Sequence, residues 1–113
     1  MEKQKIIVLC GSAKFKDEFL KEQKRLTEEG NLVLIPNFSI DVEKLDDSQL
    51  NALKEEHLKR IERADEIFVI NKDNYIGKST LEEIKFAIRR GKRIKFLVNS
   101  KVIDITTNKK EKL

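Results

Sequence analysis

The chain has 113 residues, 39% of them hydrophobic and 39% charged, with a formal net charge of +4. That length supports one domain around one core, and no apolar run approaches the roughly 18 residues that a membrane helix needs. A single cysteine, Cys10, and a single histidine, His57, rule out an internal disulfide and argue against a zinc site.

The N-terminal stretch "MEKQKIIVLCGS" is charged and then strand-like. Its apolar part is too short for a signal peptide and ends in a turn. The expectation is a cytoplasmic protein with no membrane partner. Part of the positive excess lies in "NKKEKL", read as a solvated basic tail over 108–113 that follows a single domain over 1–107. The sequence has no aromatic-basic motif, which argues against nucleic acid as a partner. The basic balance suits an anionic small molecule or a solvated surface equally.

In chain order, Lys5–Cys10 ("KIIVLC") is a continuous apolar run and reads as a strand buried on both faces. Cys10 ends that run and reads as a small buried hydrophobe. Gly11 and Ser12 break it. Lys14–Glu29 reads as a helix, with Phe15, Phe19, Gln23 and Leu26 at helical spacing and Gly30 as its stop. "LVLI", Leu32–Ile35, is a second strand ended by Pro36. Asn37–Asp47 is a loop with Asp41, Asp46 and Asp47; nothing in their spacing demands a metal. A second helix runs from about Ser48 to Arg63, with Leu50, Leu53, His57 and Ile61 on one face.

"EIFVI", Glu66–Ile70, is the third strand, and Asn71–Lys78 is a polar loop. Ser79–Arg90 is the third helix, closed by Gly91. Arg93–Val98 is the fourth strand, and Lys101–Thr106 is a possible short fifth at an edge. Strands alternating with helices imply right-handed crossovers and a parallel sheet. The fold expected is single-domain α/β, flavodoxin-like or Rossmann-like, with about four strands in order 2-1-3-4 and three flanking helices. In such a sheet a ligand binds outside the carboxyl ends of the strands. Those ends open into three loops, 11–13, 37–47 and 71–78.

The first loop, "CGSAKF", offers a close backbone approach at Gly11, a hydroxyl at Ser12 and a cation at Lys14, ahead of a helix N-terminus that favours anions. It reads equally as an ordinary strand-to-helix turn. It has neither the glycines of a dinucleotide fingerprint nor those of a P-loop. In the third loop Asn71, at the end of its strand, is the best-placed polar contact among Asn71, Asp73, Asn74 and Tyr75. Asp65 stands at the opposite end of that strand and reads as structural.

"GKSTLEEIKFA", from Gly77 to Ala87, contains two possible capping boxes, Ser79 with Glu82 and Thr80 with Glu83. If Ser79 is the cap, Glu82 folds back onto its amide. Glu83 then lies on the side of Ala87, beside the strand ends. Glu83 is then either a half-buried surface carboxylate or part of a pocket.

"CGSAKF", "ADEIFVIN" and "YIGKSTLEEIKFAIRRGKRI" together resemble the nucleoside 2-deoxyribosyltransferase-like superfamily, over roughly Ile6 to Leu97. That group includes deoxyribosyltransferases and 2'-deoxynucleoside 5'-monophosphate N-glycosidases. The resemblance implies that Glu83, the glutamate before an aliphatic residue, is the nucleophile of a double displacement at a 2-deoxyribose. It implies a nucleoside or nucleotide substrate, no cofactor, no metal and a homo-oligomer. On this reading Gly11, Ser12, Gly77, Ser79 and Thr80 frame the substrate. Ser12, Lys14 and the third helix N-terminus hold a 5'-phosphate. The sequence differs from the superfamily pattern at two supporting positions: His57 stands where an aspartate is common, and Val8 where a tyrosine is. His57 is either a satisfied histidine on an apolar face or the group that protonates the leaving base. The alternative from another class is a non-catalytic nucleotide-binding or sensing module that uses the same cleft.

Overall fold

A computed structural model describes residues 4–73 and 75–105. The expectations on Asn74, Thr106 and the basic tail lie outside the described residues. Five strands form one sheet in the order β2-β1-β3-β4-β5. They are β1 (Ile6–Cys10), β2 (Leu32–Leu34), β3 (Glu66–Asn71), β4 (Arg93–Val98) and β5 (Lys101–Asp104). The helices are α1 (Lys16–Glu28), α2 (Asp47–Arg63) and α3 (Lys78–Arg89). The first four strands pair in parallel and β5 is antiparallel to β4. The expected order is therefore observed, with the edge strand added. Among the described residues no helix is long and apolar enough to cross a membrane.

Alternation along the central strands divides the core in two. Val8 and Cys10 of β1 and Ile67 and Val69 of β3 face α2 and α3, where Ile61, Ile84 and Ala87 meet them. Ile7 and Leu9 of β1 and Phe68 and Ile70 of β3 face α1, where Phe19 and Leu26 meet them. Two helices end as their glycines suggest. The amide of Asn31 returns to the Leu26 carbonyl past Gly30, and that of Lys92 to Ala87 past Gly91, the pattern of a Schellman stop.

Other boundaries differ from the sequence reading. The stretch after Gly11 is a short 3₁₀ turn, Ala13–Phe15, before α1 begins at Lys16. Ser12 caps that turn, accepting from the Lys14 amide at 3.3 Å, instead of capping α1. The second helix starts at Asp47, because Asp46 and Gln49 form a reciprocal capping box. At α3 neither serine-based nor threonine-based box forms. Gly77 is the N-cap, with no side-chain bond, so Ser79 and Thr80 already lie inside the helix. Glu82 is exposed, and Thr80 is buried on the inner face with Ile84 and Ala87.

Among the described residues two acidic side chains are buried with cationic partners. Glu66, 1% exposed, lies 3.2 Å from Lys5 and 3.4 Å from Lys95. Glu22 of α1 pairs with Arg25 at 2.7 Å. Asp65 ties the N-terminal ends of β3 and β1 together: its carboxylate accepts from the Ile6 amide at 2.8 Å. That is the structural role its position suggests.

Gly11 is crowded at the sheet's carboxyl edge. Its φ is +150°, and a Cβ there would lie 3.0 Å from the Ile70 carbonyl oxygen and 3.2 Å from Phe19 Cζ. Gly11→Ala should lower unfolding stability by roughly 1–3 kcal/mol, the scale of a strained backbone position. Urea denaturation measures this; an unchanged midpoint would contradict the crowding described.

Candidate active site

Beyond the carboxyl end of β1 lies a cleft of about 460 Å³. Gly11 and Ala13 line its base. Pro36, Phe38, Ile40 and Val42, from the segment between β2 and α2, form one apolar wall. The opposite wall is one face of α2, carrying Leu53, Glu56, His57 and Arg60, and Glu83 enters from α3. The spacing i, i+3, i+4, i+7 explains why these four α2 residues share the cleft.

Each wall is held by its own contacts. Phe38 packs edge-on to Phe19, with ring centroids 5.2 Å apart, which fixes the apolar segment to the core. Arg60 donates to the Ile35 carbonyl at 3.1 Å and to Glu56 at 2.6 Å. It thereby joins α2 to the end of β2. Lys16, the first residue of α1, also lines the cleft.

At the deep end three functional groups converge. The His57 Nε2 atom is 3.4 Å from Glu83 Oε1, with the two side chains 16% and 20% exposed. The same nitrogen is 3.6 Å from the Cys10 sulfur, which is fully buried. Burial, the nearby Glu83 charge and hydrogen bonding to Glu83 push the Cys10 thiol pKa well above its usual value. The thiol therefore stays protonated at neutral pH. A carboxylate in a half-enclosed cleft beside an imidazole is an arrangement suited to nucleophilic attack with proton transfer.

Of the residues singled out from sequence, Glu83, His57 and Gly11 come together here, and Glu83 rather than Glu82 is the one that reaches the cleft. The others do not line it. Lys14 holds its ammonium 3.5 Å from the centre of the Tyr75 ring, a cation–π contact that draws it away from the cleft. Gly77 lies against the same tyrosine; a Cβ there would be 3.2 Å from the Tyr75 hydroxyl. Ser12 is engaged in its 3₁₀ turn, Ser79 is exposed outside the cleft and Thr80 is buried. Asn71 lines a different cavity with Glu18, Glu22 and Arg25, on the α1 side of the sheet. Its Oδ1 is buried with no hydrogen-bond partner among the described residues. Val8 is fully buried in the core.

Sequence reasoning missed Cys10 as a site residue, and with it Lys16, Glu56, Arg60 and the apolar wall. The signals were present. Alternation along β1 turns Cys10 toward the face that carries α2, and Glu56 and Arg60 lie beside His57 and one turn after it on that helix.

No protein-family model and no curated protein sequence matches the chain. Solved structures do match. The 2-deoxyribosyltransferase of the psychrotolerant bacterium Bacillus psychrosaccharolyticus superposes with a TM-score of 0.73 at 22% identity, over 87% of this chain and 75% of that one. The 2-desoxiribosyltransferase of Leishmania mexicana gives 0.64 at 16% identity, over 83% of this chain and 64% of that one. The CMP N-glycosidase of Clostridium botulinum gives 0.55 at 19% identity, over 83% and 69%. The class defined by the sheet is the flavodoxin-like α/β fold. Within it, this chain shares its fold with these two deoxyribosyltransferases and this N-glycosidase.

The thiolate is the species that alkylates, so Cys10 in the folded protein should react with iodoacetamide far more slowly than after unfolding at about pH 8. Burial does most to hold the proton on sulfur; Glu83→Gln removes the smaller contribution of the Glu83 charge and should shift reaction of the folded protein to lower pH. Equal rates for folded and unfolded protein, followed by mass spectrometry, would contradict this environment.

Proposed function

We propose that this protein cleaves or transfers the N-glycosidic bond of 2'-deoxynucleosides or their 5'-monophosphates, with Glu83 as nucleophile. The observation that carries the reading is the Glu83 carboxylate, held 3.4 Å from His57 at the deep end of a cleft whose other surfaces suit a nucleoside. The fold shared with two deoxyribosyltransferases and an N-glycosidase supports it.

The reaction follows from the groups present. Glu83 attacks the anomeric carbon of the deoxyribose. The carbon–nitrogen bond breaks, and its electron pair leaves with the base. The base needs a proton or a hydrogen bond as it departs, and the His57 imidazole beside Glu83 is placed to give one. Water or a second base then attacks the same carbon and releases Glu83, in the manner of a retaining glycosidase. The 2-deoxy sugar lacks the electron-withdrawing hydroxyl that would oppose positive charge at that carbon, so a small site suffices.

Binding follows the same division. The flat, largely apolar base fits the wall of Pro36, Phe38, Ile40 and Val42. The polar side of α2, with Glu56 and Arg60, faces groups on the base or sugar. Lys16 takes the role of phosphate partner that the sequence reading gives to Lys14, because Lys16 lines the cleft while Lys14 packs on Tyr75. Self-association belongs to this reading too. Leu81 and Ile88, 46% and 43% exposed, stand seven residues apart on the outer face of α3, where a second copy could cover them.

The test is release of free base, followed by chromatography, from each 2'-deoxynucleoside and its 5'-monophosphate, with and without an acceptor base. Glu83→Ala should abolish release, while Glu82→Ala should leave it unchanged. His57→Ala should slow it by about 10²–10⁴-fold, the usual contribution of a positioned acid. Lys16→Ala should raise KM for monophosphates more than for nucleosides. Absence of release from every substrate by the folded wild type would overturn the reading in favour of a nucleotide-binding module.

A further inference from the structure

The single cysteine and single histidine of the chain meet Glu83 at one point. One sulfur, one imidazole nitrogen and one carboxylate oxygen all lie within 4.8 Å of one another. These come from three separate elements, β1, α2 and α3, so the cluster is held by the fold rather than by one flexible loop. From these positions we infer that Cys10, His57 and Glu83 form a three-ligand site for a zinc ion, open on its fourth side to the cleft.

Two of the three separations match zinc geometry, and the third, from the Cys10 sulfur to a Glu83 oxygen, is within 4.8 Å. Zinc bonds of about 2.3 Å to sulfur, about 2.0–2.1 Å to nitrogen and about 2.0–2.2 Å to oxygen, at tetrahedral angles, set sulfur–nitrogen and nitrogen–oxygen separations near 3.6 and 3.4 Å. The observed separations are 3.6 Å for Cys10 Sγ to His57 Nε2 and 3.4 Å for His57 Nε2 to Glu83 Oε1. The same ring nitrogen makes both approaches. Thiolate and imidazole ligands select zinc over magnesium or calcium. Three protein ligands with an open fourth position are the arrangement of zinc sites that admit a water or a substrate.

Charge also balances. On binding, the Cys10 thiol gives its proton to solvent. The thiolate and the Glu83 carboxylate then cancel the two positive charges of zinc, and His57 binds neutral. The half-enclosed cleft supplies the entry path. Binding does not depend on the glycosidic reaction. If that reaction occurs, zinc occupies the carboxylate that would attack the sugar, so the metal and the covalent intermediate exclude each other and zinc inhibits.

Cobalt(II) is the direct probe, because its spectrum reports the ligands without any assay of activity. Titration of the reduced full chain with Co²⁺ should give one equivalent of binding with a thiolate-to-cobalt charge-transfer band and the intense visible bands of a four-coordinate site. Zn²⁺ should displace both. Cys10→Ser should lose the charge-transfer band. His57→Ala and Glu83→Gln should each weaken Zn²⁺ binding, measured by calorimetry, at least as much as the roughly 10–100-fold that loss of an outer hydrogen-bond partner costs other zinc sites. Circular dichroism checks that each variant is folded. Absence of the charge-transfer band, or Zn²⁺ affinity unchanged in all three folded variants, would overturn the site. Base release measured separately, with and without Zn²⁺, reports on the glycosidic reading alone.

Discussion

The His57 imidazole holds together three segments that are distant in sequence. Its Nε2 atom touches Cys10 at the end of β1 and Glu83 on α3, while its own backbone belongs to α2. The cleft exists because these three elements converge on one side of the sheet. That convergence rests on the parallel pairing of β1 with β3 and on the close approach that Gly11 permits to Ile70. A side chain at Gly11 would push the first loop away from β3, and with it the base of the cleft. The geometry of the candidate chemistry is therefore set by backbone packing at a single residue and completed by one imidazole.

The burial around this contact has a chemical consequence. Cys10 is fully buried and keeps its proton, whereas His57 and Glu83 are each partly open to the cleft. The inner end of the group is dry and the outer end is wet. A carboxylate at that boundary can meet a substrate on one side while its neighbours fix its position on the other. Apolar side chains of the 36–42 segment and the polar Glu56, His57 and Arg60 of α2 together give the cleft a mixed lining.

Much of this was legible in the sequence because it depends on periodicity. Apolar runs in "KIIVLC" and "EIFVI", separated by amphipathic helices, yield the strand order and the end of the sheet where a ligand would bind. The side of α3 that carries Ala87 also carries Glu83, while the choice of Glu83 over Glu82 as nucleophile comes from the resemblance. The capping box did not form because Gly77, in an extended conformation, starts the helix two residues before Ser79. Local pattern alone cannot choose between such starts. Lys14 was drawn away by Tyr75, which is 61 residues distant in sequence, and Asn71 turned to the α1 side. Both outcomes depend on long-range packing. Cys10 looked like a core residue and is one; only its distance to His57 makes it more than that.

The proposed reaction joins Glu83 covalently to the sugar. The most direct measurement is mass spectrometry of protein quenched in acid during incubation with a 2'-deoxynucleoside or its 5'-monophosphate, followed by peptide mapping. The expected result is a deoxyribosyl or deoxyribosyl-phosphate adduct on the peptide containing Glu83, localised to that residue. An adduct on any other side chain would contradict it, as would unmodified protein throughout a reaction that is releasing base.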